Sequence, residues 1–212
     1  FGLQLVIQFG YFLMISRYLG AGGYGLFVTL SSVSIIGVLI VGLGSDHLMI
    51  QRVAVDPSAF SRYFGHAVVM IASTLPVVGL AVVVVGHYLI GDELAWAPLI
   101  AIAVSHLVFG RINGVCANAF MAFDKAKLQL FCNVFIAAAR AGFLGMAIVS
   151  LDKLTLEAWA WWYLAASALS AAISLILVLT ICGLPRLNVV WGDLKLGFQY
   201  CLEFLAIGSV GD

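Results

Sequence analysis

Apolar residues run along this chain in blocks too long to be one face of a soluble helix, and polar residues gather in the short gaps between them. Crossing the hydrocarbon core of a bilayer takes about 20 apolar residues in a helix. Six segments meet or approach that length: 1–16, 26–45, 66–90, 97–122, 128–150 and 160–183, and a seventh starts near 196. None alternates apolar and polar residues with the period of two that a membrane barrel strand requires. The pattern therefore predicts an all-α membrane protein, a polytopic helical bundle. Its punctuation agrees. Pro57, Pro98 and Pro185 fall in loops or at helix starts, while Pro76 lies inside the third span and predicts a kink. "LGAGGYG" (19–25) joins the first two spans and reads as a turn whose glycines supply positive φ. Trp96, Trp159, Trp161, Trp162 and Trp191 all fall at span ends, the place of an interfacial aromatic belt.

Composition supports the membrane assignment: 64% of residues are hydrophobic and 9% charged. The mean hydropathy is +1.14, which leaves too little polar surface for a soluble domain. A formal net charge of +0 gives no basis for nucleic-acid binding. Cys116, Cys132, Cys182 and Cys201 lie in apolar segments without metal-ligand spacing and read as small buried hydrophobes. The chain opens at Phe1 inside an apolar block and stops at Asp212 in or near another, as a piece of a longer protein does.

Basic residues orient the bundle. Arg52 and Arg62 lie in loop 46–65, Lys125 and Lys127 in loop 123–127, and Arg186 and Lys195 in loop 184–195. The alternate gaps hold Arg17 and Lys153 together with Asp92, Glu93, Asp152 and Glu157. The positive-inside rule then puts the first three loops, and the N-terminus, in the cytoplasm. The two ends also resemble each other: "FGLQLVIQF" (1–9) aligns without a gap with "LGFQYCLEF" (196–204), matching Gly2 with Gly197, Gln4 with Gln199 and Gln8 with Glu203. Six spans separate them, so both run the same way, as in a parallel repeat of two lobes.

Arg111 and Arg140 are the basic residues placed well inside spans. A charge at the bilayer centre costs about 2.5–3.5 kcal/mol even on lenient insertion scales. Each arginine must pair with an acid, cap backbone carbonyls, snorkel to an interface, or face water and an anionic ligand. Pairing is short of supply, because Glu203 is the one carboxylate that falls clearly within a predicted span. Asn133 stands seven residues before Arg140, Asn118 seven after Arg111, and Asn113 seven after His106, so each pair shares a helix face. Such stripes suit either a hydrated interior or packing by interhelical hydrogen bonds; His106 suits the latter. No paired aspartates, nucleophile with its base, phosphate loop or metal cluster is visible, so enzyme chemistry, metals and cofactors are not expected.

The block "RYLGAGGYGLFVTLSSVSIIGVLIVGLGSDHLMIQRVA" (17–54) resembles the start of the bacterial polysaccharide flippases, within the superfamily that also holds multidrug and toxin extruders. The matching positions are Arg17, Leu19, Gly20, Tyr24, Gly25, Gly42, Gly44 and Arg52; Asp46 and His47 stand where small uncharged residues are expected. "NAFMAFDKAKLQLFCNVFIAAAR" (118–140) looks like that family's fourth helix end, basic loop and fifth helix. The resemblance implies a MATE-like protein of two six-helix lobes. In that plan 1–183 is the N-terminal lobe, 184–195 a cytoplasmic linker and 196–212 the first helix of a second, truncated lobe. It implies a bacterial inner-membrane flippase for polysaccharide biosynthesis (O-antigen, capsule or exopolysaccharide). Its cargo would be an oligosaccharide linked through a diphosphate to a polyprenyl lipid, with a polysaccharide polymerase and glycosyltransferases as further partners. On that view Arg111 and Arg140 hold the diphosphate. Gln4, Gln8, Asn133 and Gln199 bond sugar or phosphate oxygens, and Glu203 pairs with an arginine or carries a proton. The alternatives are a cation-coupled drug exporter of the same superfamily and a membrane-embedded glycosyl- or prenyltransferase.

Overall fold

The structure, a computed structural model, describes residues 2–91, 94–187 and 189–199, and among them there are helices, turns and loops but no strand. Among the described residues the α-helices follow one another as α1 Gly2–Ile40, α2 Ser45–Val55, α3 Phe60–Ile90, α4 Trp96–Val104, α5 Arg111–Ala122, α6 Ala126–Ser150 and α7 Leu156–Ile181, and 194–199 are helical again. A π-helical segment, Ser105–Gly110, joins α4 to α5 without a break. Five stretches among the described residues are long and apolar enough to cross a membrane: Gln4–Ile40, Pro57–Ile90, Trp96–Ala122, Ala126–Ser150 and Leu156–Ile181.

The 39-residue α1 is not straight. Gly20, with φ 69 and ψ 175, leaves the helical region at the predicted glycine turn, in a conformation open to glycine and costly for other residues. Phe12 and Tyr24 pack edge to face with ring centroids 5.3 Å apart. On one straight helix, twelve residues would separate them by about 18 Å. Tyr11 and Phe27 likewise both reach Trp159. The chain therefore doubles back near Gly20, and residues 2–19 and 21–40 lie side by side.

The second half of α1 runs into a turn at 41–44 with Gly42, Leu43 and Gly44 all at positive φ, after which α2 begins. Sequence patterning gave 46–65 as a loop. It is instead mostly helix, because Leu48, Met49 and Val53 form an apolar face that is fully buried. The turn is not at the surface. The Gly42 N–H donates to Thr74 Oγ1 at 2.9 Å, and Thr74 sits fourteen residues inside α3, about 21 Å along it. Irregular backbone at such depth is tolerated where protein covers it and satisfies the freed groups.

Among the described residues the buried side chains form two large clusters and a smaller one of Val41, Val82, Ala103 and Leu107. One large cluster gathers Phe60, Phe64, Phe120, Cys116 and Cys132 with Leu48 and Met49, so two of the cysteines are buried hydrophobes as expected. The other gathers Ile15, Phe27, Leu99, Leu144, Trp159 and Tyr163. Trp159 is fully buried there, which corrects its assignment to an interfacial belt; Trp96, Trp161 and Trp191 are exposed. The central element is α4–π–α5, whose most apolar stretch is 61% buried, against 6% for that of α3. A helix whose apolar surface faces outward meets lipid, whereas a central one can carry polar groups.

Helices α5 and α7 are joined by short connections through α6 and run parallel, which their hydrogen bonds record as a constant register. His106 shares a 3.1 Å bond with the Tyr163 hydroxyl, and Asn113 Oδ1 accepts from Ser170 at 3.2 Å and Ser174 at 2.6 Å. The seven-residue step from His106 to Asn113 meets the seven-residue step from Tyr163 to Ser170. These groups are interhelical packing contacts.

The 184–193 segment returns to the start of α3. Ser61 Oγ donates to the Leu184 carbonyl at 2.6 Å, Arg186 N–H to the Ser61 carbonyl at 2.7 Å, and Val190 N–H to His66 Nδ1 at 3.2 Å. Arg52 bonds Asp193 at 2.8 Å and the Tyr63 hydroxyl donates to it at 2.7 Å. The basic stretches 46–65 and 184–195 thus lie at one end of the bundle. Gly65 makes the seating possible, since a Cβ there would collide with the Arg186 carbonyl oxygen. Gly65→Ala is expected to lift the segment, at a cost of about 1–3 kcal/mol, and to expose the Arg186–Leu187 bond to trypsin. Unchanged cleavage kinetics would contradict the tight seating.

The Tyr63 hydrogen bond and then the Arg52 guanidinium hold the Asp193 carboxyl below its ordinary value of 3.8. A lowered folded value means that this contact stabilises above 3.8 and is lost as pH falls through the folded value. Pepsin cleavage of 184–193 should therefore accelerate as the medium is acidified below 3.8, and Asp193→Asn should cleave quickly without that acid step.

Candidate functional site

Two polar centres lie inside the bundle, and they use their arginines differently. The first is built by α2 and α5. Arg111 closes a bidentate pair with Asp46, Nη2 to Oδ1 at 2.8 Å and Nη1 to Oδ2 at 3.1 Å, while Asn118 Nδ2 donates to Oδ2 at 2.8 Å. The side chains are 11% and 5% exposed. Asp46 sits in the first turn of α2, where a helix N-terminus favours a carboxylate. The expectation that carboxylates are too scarce for pairing fails here, because α2 dips into the bundle and carries Asp46 to the depth of Arg111. Arg111, read from the sequence as a diphosphate ligand, stands here in an internal ion pair and outside the lining of the cavity described below. Asn118, predicted to share its face, holds the same carboxylate. The π-helical segment ends at the residue before Arg111, whose N–H bonds the His106 carbonyl five residues back. Such a bulge re-aims the side chains that follow it, and nothing in the sequence pattern signalled it.

Near this pair, Arg111 Nε and Ser45 Oγ are buried without hydrogen-bond partners. Both belong to groups crowding Gly42, where a Cβ would meet Arg111 Nη2 at 3.0 Å and Ser45 Oγ at 3.2 Å. The site is closed rather than roomy.

The second centre surrounds Arg140, fourteen residues into α6 and ten from its end, so near mid-span. It lines a cavity of about 280 Å³ together with Gln8, Tyr11, Phe12 and Ile15 from the first half of α1, and Tyr24, Phe27 and Val28 from the second. Ile136 and Ala137 complete the α6 wall. The guanidinium lies over the Tyr163 ring at 4.5 Å, a cation–π contact, and reaches Ser167 Oγ at 3.3 and 3.4 Å. Those hydrogen bonds are long. Among the described residues no carboxylate pairs with it. The charge is therefore steadied by an aromatic face, is not neutralised by any carboxylate among the described residues, and opens on a cavity.

Of the other predicted residues, Gln8 joins Arg140 in this cavity. Gln4 is half-buried in α1 outside the cavity lining, Asn133 is half-buried two turns before Arg140, and Gln199 is exposed. Glu203, and with it the full comparison of 196–204 with 1–9, lies outside the described residues. Tyr11 and Tyr24 were missed by sequence reasoning, since an aromatic in an apolar block carries no mark of facing a cavity. No group of three or more metal-ligating side chains occurs among the described residues. No known protein family, curated protein or solved structure matches the chain.

Proposed function

We propose that the chain is the N-terminal lobe of a lipid-linked oligosaccharide flippase with a MATE-like plan, and that Arg140 is its anion-binding group. The reversal at Gly20 supports a count of six crossings: 2–19, 21–40 continued by α2, α3, α4–π–α5, α6 and α7. The basic end, with Arg52, Arg62 and Arg186, then faces the cytoplasm of a bacterial inner membrane. In this plan 196–212 opens a second lobe, and its residues from 200 onward lie outside the described ones.

One observation carries this reading: a guanidinium at mid-span, paired with no carboxylate among the described residues, lining a cavity between helices. Moving sugars and a diphosphate through hydrocarbon requires a wet passage with counter-charge, because an isolated anion in low dielectric is prohibitively costly. Arg140 supplies the charge and Gln8 an amide beside it, while the polyprenyl tail stays in lipid. Lobe rocking about this mid-membrane site would expose it to either leaflet in turn. The cation-coupled alternative needs a free buried carboxylate, and Asp46, the buried acid among the described residues, is already occupied by Arg111 and Asn118.

Proteoliposomes test the assignment. With a fluorescent polyprenyl-diphosphate glycan supplied in one leaflet, the protein should carry label to the other, and Arg140→Ala and Arg140→Lys should both slow this step. Equal activity toward a cationic dye with none toward the diphosphate lipid would reject the reading in favour of drug export.

A further inference from the structure

Tyr11 offers a second donor to the same cavity. Its side chain lines the space beside Arg140, yet its hydroxyl is buried without a hydrogen-bond partner. A buried hydroxyl left unsatisfied costs about 1–3 kcal/mol, so buried polar groups are rarely left so. Across from it stands Trp159, ring centroids 6.0 Å apart, whose indole N–H is also unpartnered. Turning these two toward each other does not solve the problem. An indole N–H only donates, so it can occupy the phenol's oxygen but leaves the phenol's proton without an acceptor. Arg140 cannot accept it either, having donors alone. The cavity wall thus presents a guanidinium that only donates, beside the Tyr11 phenol, the Gln8 amide and the Tyr24 hydroxyl, which can each donate as well as accept; the cation among them asks for an acceptor-rich anionic guest.

Size narrows the class of guest. The cavity measures about 280 Å³. It falls just below the ~300–1,000 Å³ of ordinary small-molecule pockets. One phosphate-bearing head fits; a head plus several sugars does not. Phe12, Ile15, Phe27 and Val28 around the donors offer nothing to a run of sugar hydroxyls.

Resting on the flippase reading and sharpening it, we infer that Tyr11 and Arg140 together bind the diphosphate of the cargo as a two-donor site, and that this lobe recognises that end while the glycan lies outside it. The glycan then contributes little to affinity here, and cargoes with different sugars compete for one head-group site.

Equilibrium binding to the full chain in lipid nanodiscs tests this, using a sugar-free polyprenyl diphosphate and the same lipid carrying a glycan. Wild type should bind the two within about threefold. Tyr11→Phe, which keeps the ring against Trp159, should weaken both by about 10- to 150-fold, the loss expected for one hydrogen bond to a charged group. Arg140→Gln should weaken both further. If Tyr11→Phe binds like wild type while Arg140→Gln does not, the two-donor inference fails and the flippase reading stands. If Arg140→Gln also binds like wild type, the reading beneath it fails as well. Wild type that binds the glycosylated lipid but not the bare diphosphate would overturn the claim that the lobe recognises the head and not the sugars.

Discussion

Replacing Asp46 with alanine is expected to destabilise the folded chain by about 3–5 kcal/mol, the usual consequence of stripping one partner from a buried ion pair. The size follows from what remains. The Arg111 guanidinium would be left without its carboxylate, its side chain is 11% exposed, and its Nε already lacks a partner. Asn118 Nδ2 would lose its acceptor too. The guanidinium also packs beside Gly42, where a Cβ would meet its Nη2 at 3.0 Å. Removing both charges is a different matter: Asp46→Leu with Arg111→Leu should lie much nearer wild type, because a buried pair exchanged for apolar groups is often neutral. Denaturant unfolding in micelles of the two single variants and the double provides the cycle. Single variants within about 0.5 kcal/mol of wild type would show that the pair is hydrated and not buried.

Arg140→Leu should show the opposite profile, with modest loss of stability and large loss of cargo binding. The contacts holding Arg140 are a cation–π contact at 4.5 Å and hydrogen bonds of 3.3 and 3.4 Å. Losing the former costs about 0.5–2 kcal/mol, and bonds that long add little. A guanidinium–phosphate hydrogen bond, by contrast, contributes about 1.5–3 kcal/mol to affinity, which is about 10- to 150-fold in Kd. Arg140→Lys should fall between, since an ammonium keeps the charge but loses the planar fork. The measurements are a melting curve and a binding isotherm on the same preparation. A variant that melts like wild type and binds like wild type would remove Arg140 from the site. One that fails to fold would instead make the arginine a structural residue like Arg111.

The contrast between the two arginines marks where sequence reasoning stopped. Both carry a polar neighbour seven residues away, and both fall well inside apolar spans, so the pattern ranks them equally. What separates them is Asp46. It lies in a stretch whose polar residues suggested a loop, and its partner is 65 positions away. The i,i+7 face of His106 and Asn113 was legible, but the partners on α7, Tyr163, Ser170 and Ser174, were not, because serine and tyrosine in an apolar helix read as ordinary composition. Trp159 shows the same limit. Its position near a span end suggested the interface, and the doubling back of α1 buried it.

Several properties follow from the chain's local order alone. The helical class, the apolar blocks, the turn at Gly20 and the gathering of basic residues in alternate gaps depend on residue type and short-range spacing. In a bilayer, backbone groups must be satisfied within the segment, so an apolar block of sufficient length has little choice but helix. Which guanidinium is neutralised and which opens on a cavity was decided by tertiary structure. That outcome depends on the depth to which α2 enters the bundle, the π-helical segment before Arg111, and the pairing of the two halves of α1 against α6. Each sets distances of a few ångströms between residues far apart in sequence, and the interaction of a buried charge with its surroundings turns on those distances.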